Sequence, residues 1–91
     1  MLRFDDGEFR FNYRVVGVAL DSDRVLVHKG DDEDFWSLPG GRGEFLEPSR
    51  ETLYREMIEE MGLEVKVDRL LWFVENFFDY DDKKYHELSL Y

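Results

Sequence analysis

The sequence contains no cysteine and few positive charges, and each shortage excludes a class of protein. Without cysteine, the chain can have neither a disulfide framework nor thiolate chemistry, and its redox compartment stays open. Twelve lysines and arginines stand against 22 aspartates and glutamates, which gives a net charge of −10. Such a charge repels the phosphate backbones of DNA and RNA. We therefore predict no nonspecific binding of nucleic acid.

Long apolar runs are also absent from the sequence. No stretch approaches the length needed to span a membrane, and Met1–Asp6 does not have the pattern of a signal peptide. We therefore predict no association with membranes and a cytoplasmic location.

What the sequence does contain is enough apolar material for one folded domain. Its 91 residues are 43% hydrophobic and 16% aromatic, which is typical of a globular chain and not of a disordered tail. A chain of this length forms one domain and buries only about two-thirds of its unfolded surface. We expect modest stability.

Most of the chain outside its middle third has the pattern of β-strands. Stretches rich in aromatic and β-branched residues alternate with turns rich in aspartate. The predicted strands are Phe9–Leu20, Arg24–Lys29 as a hairpin partner after the turn Asp21–Asp23, Phe35–Leu38, Glu64–Phe78 as one strand or two joined by a bend, and Lys84–Tyr91 after the loop Asp79–Lys83. We expect His28 to be a partly exposed strand residue, not a ligand. The core is expected to hold the aromatic group Trp72, Phe73, Phe77, Phe78 and Tyr80.

One helix is predicted between two glycine-containing turns, over Pro48–Met61. Proline suits the first helical position, Glu47 before it can cap the helix, and Gly62 can adopt the left-handed conformation that ends one. At about 100° per residue the helix has two faces. The apolar face, expected in the core, contains Leu53, Tyr54, Met57, Ile58 and Met61. The acidic face contains Glu56, Glu59 and Glu60.

The acidic face admits two interpretations. Glu56 lies three residues before Glu59 and four before Glu60, so three like charges are neighbours and repel one another. A divalent cation bound among them explains the cluster, because Mg²⁺ favours oxygen ligands and often shares them with substrate phosphates. Arg55 can pair with Glu51 and Glu59 and hold the cluster in place. The other interpretation is a solvated acidic surface, and spacing alone does not decide between them.

A longer motif surrounds this cluster. Gly41, five residues, Glu47, seven residues, Arg55-Glu56, two residues, Glu59-Glu60, one residue, Gly62 and the apolar Leu63 follow one another in that order. This order resembles the Nudix box of the Nudix hydrolases at every fixed position. The preceding Leu38-Pro39-Gly40-Gly41 is similar to the usual lead-in of that family. So many fixed positions favour the metal-binding interpretation over the solvated surface.

The resemblance implies a fold and a set of residue roles. It implies an α/β/α sandwich with a mixed β-sheet, in which Glu56, Glu59 and Glu60 bind Mg²⁺ or Mn²⁺ and the carbonyl of Gly40 is an additional ligand. Arg55 would orient these catalytic carboxylates, while Gly41, Glu47 and Gly62 would support the loop and helix. The general base would be a glutamate of the cluster or a carboxylate from a later loop.

The implied activity is hydrolysis of a pyrophosphate bond in a small molecule, a nucleoside diphosphate linked to another moiety. Nucleoside triphosphates, dinucleoside polyphosphates, nucleotide sugars and ADP-ribose all stay open as substrates. Two alternatives also stay open. One is a nucleotide-binding module without catalysis, and the other is an interaction domain that pairs its terminal strand with a partner or in a homodimer.

The predicted domain is partial. Residues 1–91 resemble a Nudix domain that lacks its C-terminal strands and helix, and the sequence ends within the apolar strand Lys84–Tyr91. An unpaired strand at that position would be an exposed sheet edge, which natural domains usually protect. We therefore expect the terminal strand to be such an edge.

Overall fold

A computed structural model describes residues 2–91 and contains seven strands and one helix in that range. The elements are β1 (Arg3–Asp6), β2 (Phe9–Val16), β3 (Leu20–Asp21), β4 (Arg24–Val25), β5 (Gly40–Arg42), α1 (Ser49–Met61), β6 (Phe73–Tyr80) and β7 (Lys83–Leu90). The helix α1 is neither long nor apolar enough to cross a membrane, and residues 2–91 contain no other helix.

The strands form a mixed sheet, as expected. Its order is β1-β2-β7-β6, with β2 and β7 parallel and the β1–β2 and β6–β7 pairs antiparallel. The short strand β5 also pairs antiparallel with β2, opposite residues 14–16. Since β7 lies along one edge of β2, strands β1 and β5 share the other edge, each along half of it. The mixed sheet and its helix confirm the predicted α/β class.

The terminal strand is not the exposed edge that the sequence suggested. β7 lies between β2 and β6 and pairs with both along its length. The prediction was wrong because it could not foresee a parallel pairing between segments about 75 residues apart, as Asn12 and Glu87 are. An interaction surface built on an unpaired terminal strand is therefore excluded for this arrangement.

The helix ends where predicted but begins differently. Gly62 has φ 66° and donates its N–H to the carbonyl of Ile58, which closes α1 in a left-handed turn. Pro48 is not the first helical residue, because its ψ of 147° is extended and only its carbonyl joins the helix, as an acceptor from Thr52 N–H at 3.0 Å. Glu47 does not cap the helix, and its side chain is bonded elsewhere.

Several predicted strands are shorter in the structure. The first ends at Val16 instead of Leu20, and the second is reduced to Arg24–Val25, although its hairpin with Leu20–Asp21 is present. The predicted strand 35–38 contributes one bridge, from Ser37 to His28, and residues 64–72 are irregular. Strand propensity predicted longer strands than the structure has, because each of these segments lacks a hydrogen-bonded neighbouring strand along much of its length. Strand β1 was not predicted.

The helix packs on one face of the sheet. A Cβ on Gly17 would lie 3.0 Å from Leu53 Cδ1, so this glycine lets α1 approach closely. Met57 and Val15 are buried between them, and Thr52 has no exposed surface. Tyr54 and Ile58 and the predicted core aromatics do not lie in the core. The exposed aromatics are Trp72, Phe73, Phe77, Phe78 and Tyr80. The reason is geometric, since α1 covers the sheet beside β5 and not beside β6.

Candidate active site

Arg55 is the centre of the hydrogen-bond network at the start of α1. It donates Nε to Glu47 Oε2 at 2.9 Å and Nη2 to Glu47 Oε1 at 3.0 Å. Its Nη2 also reaches the carbonyl of Arg42 at 3.3 Å, which ties the helix to the end of β5. The predicted pairing with Glu51 is wrong, because Arg55 is turned towards the loop and Glu51 lies exposed in the first turn.

Glu47 is held as a carboxylate by two partners. Arg55 and the hydroxyl of Thr52, which donates to Oε1 at 2.6 Å, lower the pKa of Glu47 to about 2. The hydrogen bonds that Arg55 donates to Glu47 in turn raise the pKa of Arg55. Both groups therefore stay charged throughout the physiological range. The loop before α1 is fastened to the helix by this ion pair and not by a cap.

Glu56 lies between Arg55 and β5. Its Oε1 accepts a hydrogen bond from Arg55 Nη1 at 2.8 Å, and its side chain is only 15% exposed. A Cβ on Gly41 would collide with the Glu56 carboxyl group. Glycine at position 41 therefore makes the space that this carboxylate occupies.

Glu60 lies one helical turn after Glu56 and is 23% exposed. Burial raises its pKa most strongly, and a hydrogen bond to Glu56 and the charge of Glu56 raise it further. The charge of Arg14, and that of His28 when its imidazole is protonated, lower the pKa of Glu60. His28 Nε2 lies 3.1 Å from Glu60 Oε2. Two carboxylates thus face each other in a partly buried place, where their mutual repulsion favours a bound cation or a proton.

Glu59 has a different setting from the other two glutamates. It is 56% exposed, and its Oε2 lies 3.4 Å from Arg55 Nη1. Among residues 2–91, no group of three acidic, histidine or cysteine side chains is arranged to hold a metal ion. The structure therefore brings Glu56 and Glu60 together and leaves Glu59 at the rim.

The carbonyl of Gly40 is directed away from β2. In an antiparallel pair, opposite residues alternate between hydrogen-bonded and non-hydrogen-bonded pairs. Gly17 donates its N–H to the carbonyl of Pro39 at 2.8 Å, so the next pair, Gly40 with Val16, is not hydrogen-bonded. A Cβ on Gly40 would collide with the backbone of Val15 and Val16, and glycine is needed here.

These donors fit a hard divalent cation. Two partly buried carboxylates and a backbone carbonyl from the neighbouring strand are oxygen ligands of the kind that Mg²⁺ and Mn²⁺ prefer. The residues present at this site therefore suit the metal that the sequence motif implies.

Sequence reasoning missed His28 and Arg14. His28 is partly exposed, as predicted, but its strand segment bridges to Ser37 and brings the imidazole to Glu60. Arg14 lies on β2, and its charge reaches Glu60 from another element. No local pattern marks either residue, because both depend on how the sheet is assembled. The sequence indicates only that Arg14 and His28 lie in predicted strands, where alternate side chains point to opposite faces.

Comparison with known proteins agrees with this geometry. The family model described as the NUDIX domain matches residues 10–91. The chain is 33% identical over 82 residues to an RNA pyrophosphohydrolase of Ruthia magnifica subsp. Calyptogena magnifica, covering 90% of this chain and 45% of that protein. It is 44% identical over 59 residues to an RNA pyrophosphohydrolase of Halorhodospira halophila (strain DSM 244 / SL1), covering 65% of this chain and 32% of that protein.

A solved structure is similar as well. The crystal structure of a UDP-X diphosphatase matches with a TM-score of 0.72 and 30% identity, over 87% of this chain and 39% of that one. The chain thus spans less than half of the length of the curated relatives that it matches.

Proposed function

Because the chain belongs to the Nudix domain family, we propose that it is a metal-dependent hydrolase that cleaves a pyrophosphate bond in a nucleoside diphosphate linked to another moiety. The observation that carries this proposal is the pair of carboxylates, Glu56 and Glu60, which face each other beside β5. The names of the similar proteins, RNA pyrophosphohydrolase and UDP-X diphosphatase, support a substrate of this chemical class.

Four residues would hold the metal. Glu56 and Glu60 are its proposed carboxylate ligands, Gly40 contributes its carbonyl, and Glu59 completes the set from the exposed rim. A bound Mg²⁺ or Mn²⁺ would neutralise phosphate oxygens and lower the pKa of the attacking water. Arg55 keeps Glu56 in position through its 2.8 Å hydrogen bond, and Glu47 in turn fixes the guanidinium of Arg55. Gly41 leaves space for Glu56, and Gly62 ends the helix after Glu60.

The reaction needs one proton acceptor and releases two products. Water attacks a phosphorus atom, the bond from that atom to the bridging oxygen breaks, and each product keeps a phosphate group. A carboxylate of the cluster takes the proton of the water, which is general-base catalysis by a positioned side chain. We propose a cytoplasmic location for this reaction, which fractionation of cells would test.

A nucleotide-binding module without catalysis is the second candidate. It is favoured by one observation, that Glu59 lies beside Arg55 and not with Glu56 and Glu60. Under this proposal nucleotides would raise the melting temperature of the chain, yet no product would form.

One hydrolysis experiment distinguishes the two candidates. The chain is incubated with nucleoside triphosphates, dinucleoside polyphosphates, nucleotide sugars, ADP-ribose and 5′-triphosphorylated RNA, with Mg²⁺, with Mn²⁺ or with EDTA. We expect metal-dependent release of two phosphorylated products from at least one substrate. The Glu60→Gln variant should lose this turnover, while Glu64→Gln, an exposed glutamate beyond the helix, should keep it. Turnover that persists in EDTA or in Glu60→Gln would refute the proposed metal site.

A further inference from the structure

His28 reaches the carboxylate cluster from a segment outside the main sheet. It forms an isolated bridge with Ser37 and belongs to none of the seven strands. Its Nε2 lies 3.1 Å from Glu60 Oε2, and the side chains of His28 and Glu60 are only 28% and 23% exposed. The contact therefore brings a nitrogen donor, partly shielded from water, to a cluster whose other donors are oxygens.

The backbone fixes His28 at this place. Its N–H donates to the carbonyl of Ser37 at 2.9 Å, and the N–H of Ser37 donates to the carbonyl of His28 at 2.8 Å. Ser37 comes three residues before Gly40, whose carbonyl is a proposed metal ligand. The two hydrogen bonds therefore tie the residue that bears the imidazole to the segment that supplies this carbonyl.

The distance between His28 and Glu60 is that of neighbouring ligands on one metal ion. Oxygen ligands lie about 2.0–2.1 Å from Mg²⁺, and histidine nitrogens lie about 2.0–2.1 Å from Zn²⁺. Two ligands at right angles around an octahedral ion are then about 3 Å apart. The separation of 3.1 Å between His28 Nε2 and Glu60 Oε2 matches this value. A cation can therefore bind both atoms without a large movement of either side chain.

A simple ion pair has a similar length, and the second histidine shows such a pair in another setting. His86 Nε2 lies 2.8 Å from Glu75 Oε2, with side chains 47% and 51% exposed, and two aromatic rings are the neighbours of its imidazole. The pair of His28 differs because a second carboxylate adjoins it, since Glu56 lies one helical turn before Glu60. His86 is therefore the internal control for His28.

The charged groups identified at the cluster do not balance without a cation. They are four carboxylates and two guanidinium groups, namely Glu47, Glu56, Glu59 and Glu60 with Arg55 and Arg14. An imidazole that binds a metal is neutral. With His28 neutral, two negative charges remain, and one divalent cation offsets both. A protonated His28 would offset only one of them.

A nitrogen ligand changes which cation the site prefers. Mg²⁺ binds oxygen ligands and retains several water molecules, whereas imidazole suits transition metals and zinc. Carboxylates and a backbone carbonyl alone suit Mg²⁺ and Mn²⁺ alike. An imidazole next to Glu60 would therefore favour Mn²⁺, Co²⁺ or Zn²⁺ at the expense of Mg²⁺.

We infer that His28 Nε2 is a ligand of the metal beside Glu60 and makes the site select Mn²⁺, Co²⁺ or Zn²⁺ over Mg²⁺. This inference rests on the proposed function, since it adds a ligand to the metal site proposed there. Residues 2–91 contain no three acidic, histidine or cysteine side chains arranged for a metal. Two such side chains suffice here, because the carbonyl of Gly40 and water molecules can complete the coordination.

Pulsed electron paramagnetic resonance of bound Mn²⁺ tests the ligand directly. The wild-type chain is loaded with less than one equivalent of Mn²⁺, once unlabelled and once with ¹⁵N in its histidines. We expect a nitrogen coupling to Mn²⁺ that changes frequency with the label. The coupling should persist in His86→Gln and disappear in His28→Gln. Mn²⁺ bound to wild type without a histidine coupling would overturn the inference, and this measurement needs no substitution that could disturb folding.

Calorimetry tests the selectivity. Wild type, His28→Gln and His86→Gln are titrated with Mn²⁺ and with Mg²⁺, after melting curves in EDTA have shown that each variant is folded. His28→Gln should weaken Mn²⁺ binding at least about tenfold, the lower end of the loss seen for residues that support metal ligands. Mg²⁺ binding should change about twofold or less, because the amide oxygen of glutamine suits Mg²⁺. His86→Gln should match wild type. An unchanged ratio of the two affinities in His28→Gln would overturn the inference.

Hydrolysis assays separate this inference from the proposed function. With a hydrolysed substrate, His28→Gln should lose more turnover in Mn²⁺ than in Mg²⁺. Metal-dependent hydrolysis by a chain whose bound Mn²⁺ shows no histidine coupling would overturn the role of His28 and leave the hydrolase. A histidine coupling that is lost in His28→Gln, without hydrolysis of any nucleotide under any metal, would support the role of His28 and overturn the hydrolase.

Discussion

Arg55 and Glu47 meet through two parallel hydrogen bonds, Nε to Oε2 at 2.9 Å and Nη2 to Oε1 at 3.0 Å, although they are eight positions apart in the sequence. This fork joins the loop before α1 to the second turn of the helix. The same guanidinium also holds Glu56, so the fork links the rigidity of the loop to the position of a proposed metal ligand.

Arg55→Lys should lower both stability and activity. Lysine keeps the charge but cannot reproduce the paired hydrogen bonds, and the partly buried Glu47 loses a partner. We expect the free energy of unfolding to fall by about 2 kcal/mol in urea denaturation. Arg50→Lys is the matched control on the same helix, because Arg50 donates to the carbonyl of Val67 at the surface. Its effect on the free energy of unfolding should stay within about 0.5 kcal/mol. Equal losses of stability in Arg55→Lys and Arg50→Lys would contradict a stabilising role for the paired hydrogen bonds between Arg55 and Glu47.

The stability of the chain should depend on pH through Glu47. Its pKa is held at about 2 in the folded state, below the 4.5 of an ordinary glutamate. The unfolded state then binds more protons between these values, so this contribution is complete above about pH 4.5 and is lost as pH falls towards 2. Denaturant unfolding at stepped pH should show the stability advantage of wild type over Glu47→Gln shrinking in this window. Thr52→Val removes one of the hydrogen bonds that lower the pKa of Glu47. The pH range over which this stability is lost should therefore be narrower in that variant. A constant stability advantage of wild type over Glu47→Gln from pH 5 to pH 2 would contradict the lowered pKa of Glu47.

The three glutamates of the cluster should contribute unequally to turnover and to metal affinity. Glu60 is 23% exposed and faces Glu56, whereas Glu59 is 56% exposed beside Arg55. We expect Glu60→Gln to reduce kcat about a hundredfold or more, since the metal supplies several kcal/mol to the transition state. Glu59→Gln should cost clearly less, and Mn²⁺ titration should show the same order of affinities. A larger loss in Glu59→Gln than in Glu60→Gln would contradict the observed arrangement.

Gly41→Ala should impair the site without straining the backbone. The added Cβ would push against the Glu56 carboxyl group and displace it from Glu60. We expect weaker Mn²⁺ binding and lower turnover. Gly7→Ala is the control, because Gly7 has φ +62° and open space around it. This substitution should lower the free energy of unfolding by about 1 kcal/mol and leave metal affinity unchanged. Unchanged metal affinity in Gly41→Ala would show that the Glu56 carboxyl group does not lie against Gly41.

The parts that local chemistry determines could be predicted from the sequence. The helix end at Gly62 follows from the left-handed conformation that glycine adopts readily, and the structure has it there. The spacing of Glu56 and Glu60 placed them on one helical face, and they do face each other. The mixed sheet came from the family resemblance, and the strand register confirms it.

The parts that depend on distant segments could not be predicted. Glu47 was expected to cap the helix because it comes directly before the helical segment. Nothing in the local sequence shows that Arg55 would instead reach back to it. The exposure of Phe77 was missed for a similar reason, since an apolar strand residue is buried only if another layer covers its face. The role of His28 depends on a bridge to Ser37, which alternation within one strand does not reveal.

The parallel pairing of β2 with β7 has a consequence for how the chain folds. Asn12 and Glu87, which are neighbours in this ladder, are 75 residues apart in sequence. The hairpins β1–β2 and β6–β7 involve only near neighbours and can form early, but they join only after a long loop closes. We therefore expect the pairing of β2 with β7 to be the slow, late step of folding. The sheet on which the helix with the carboxylate cluster docks becomes continuous only after residues 83–90 have been synthesised.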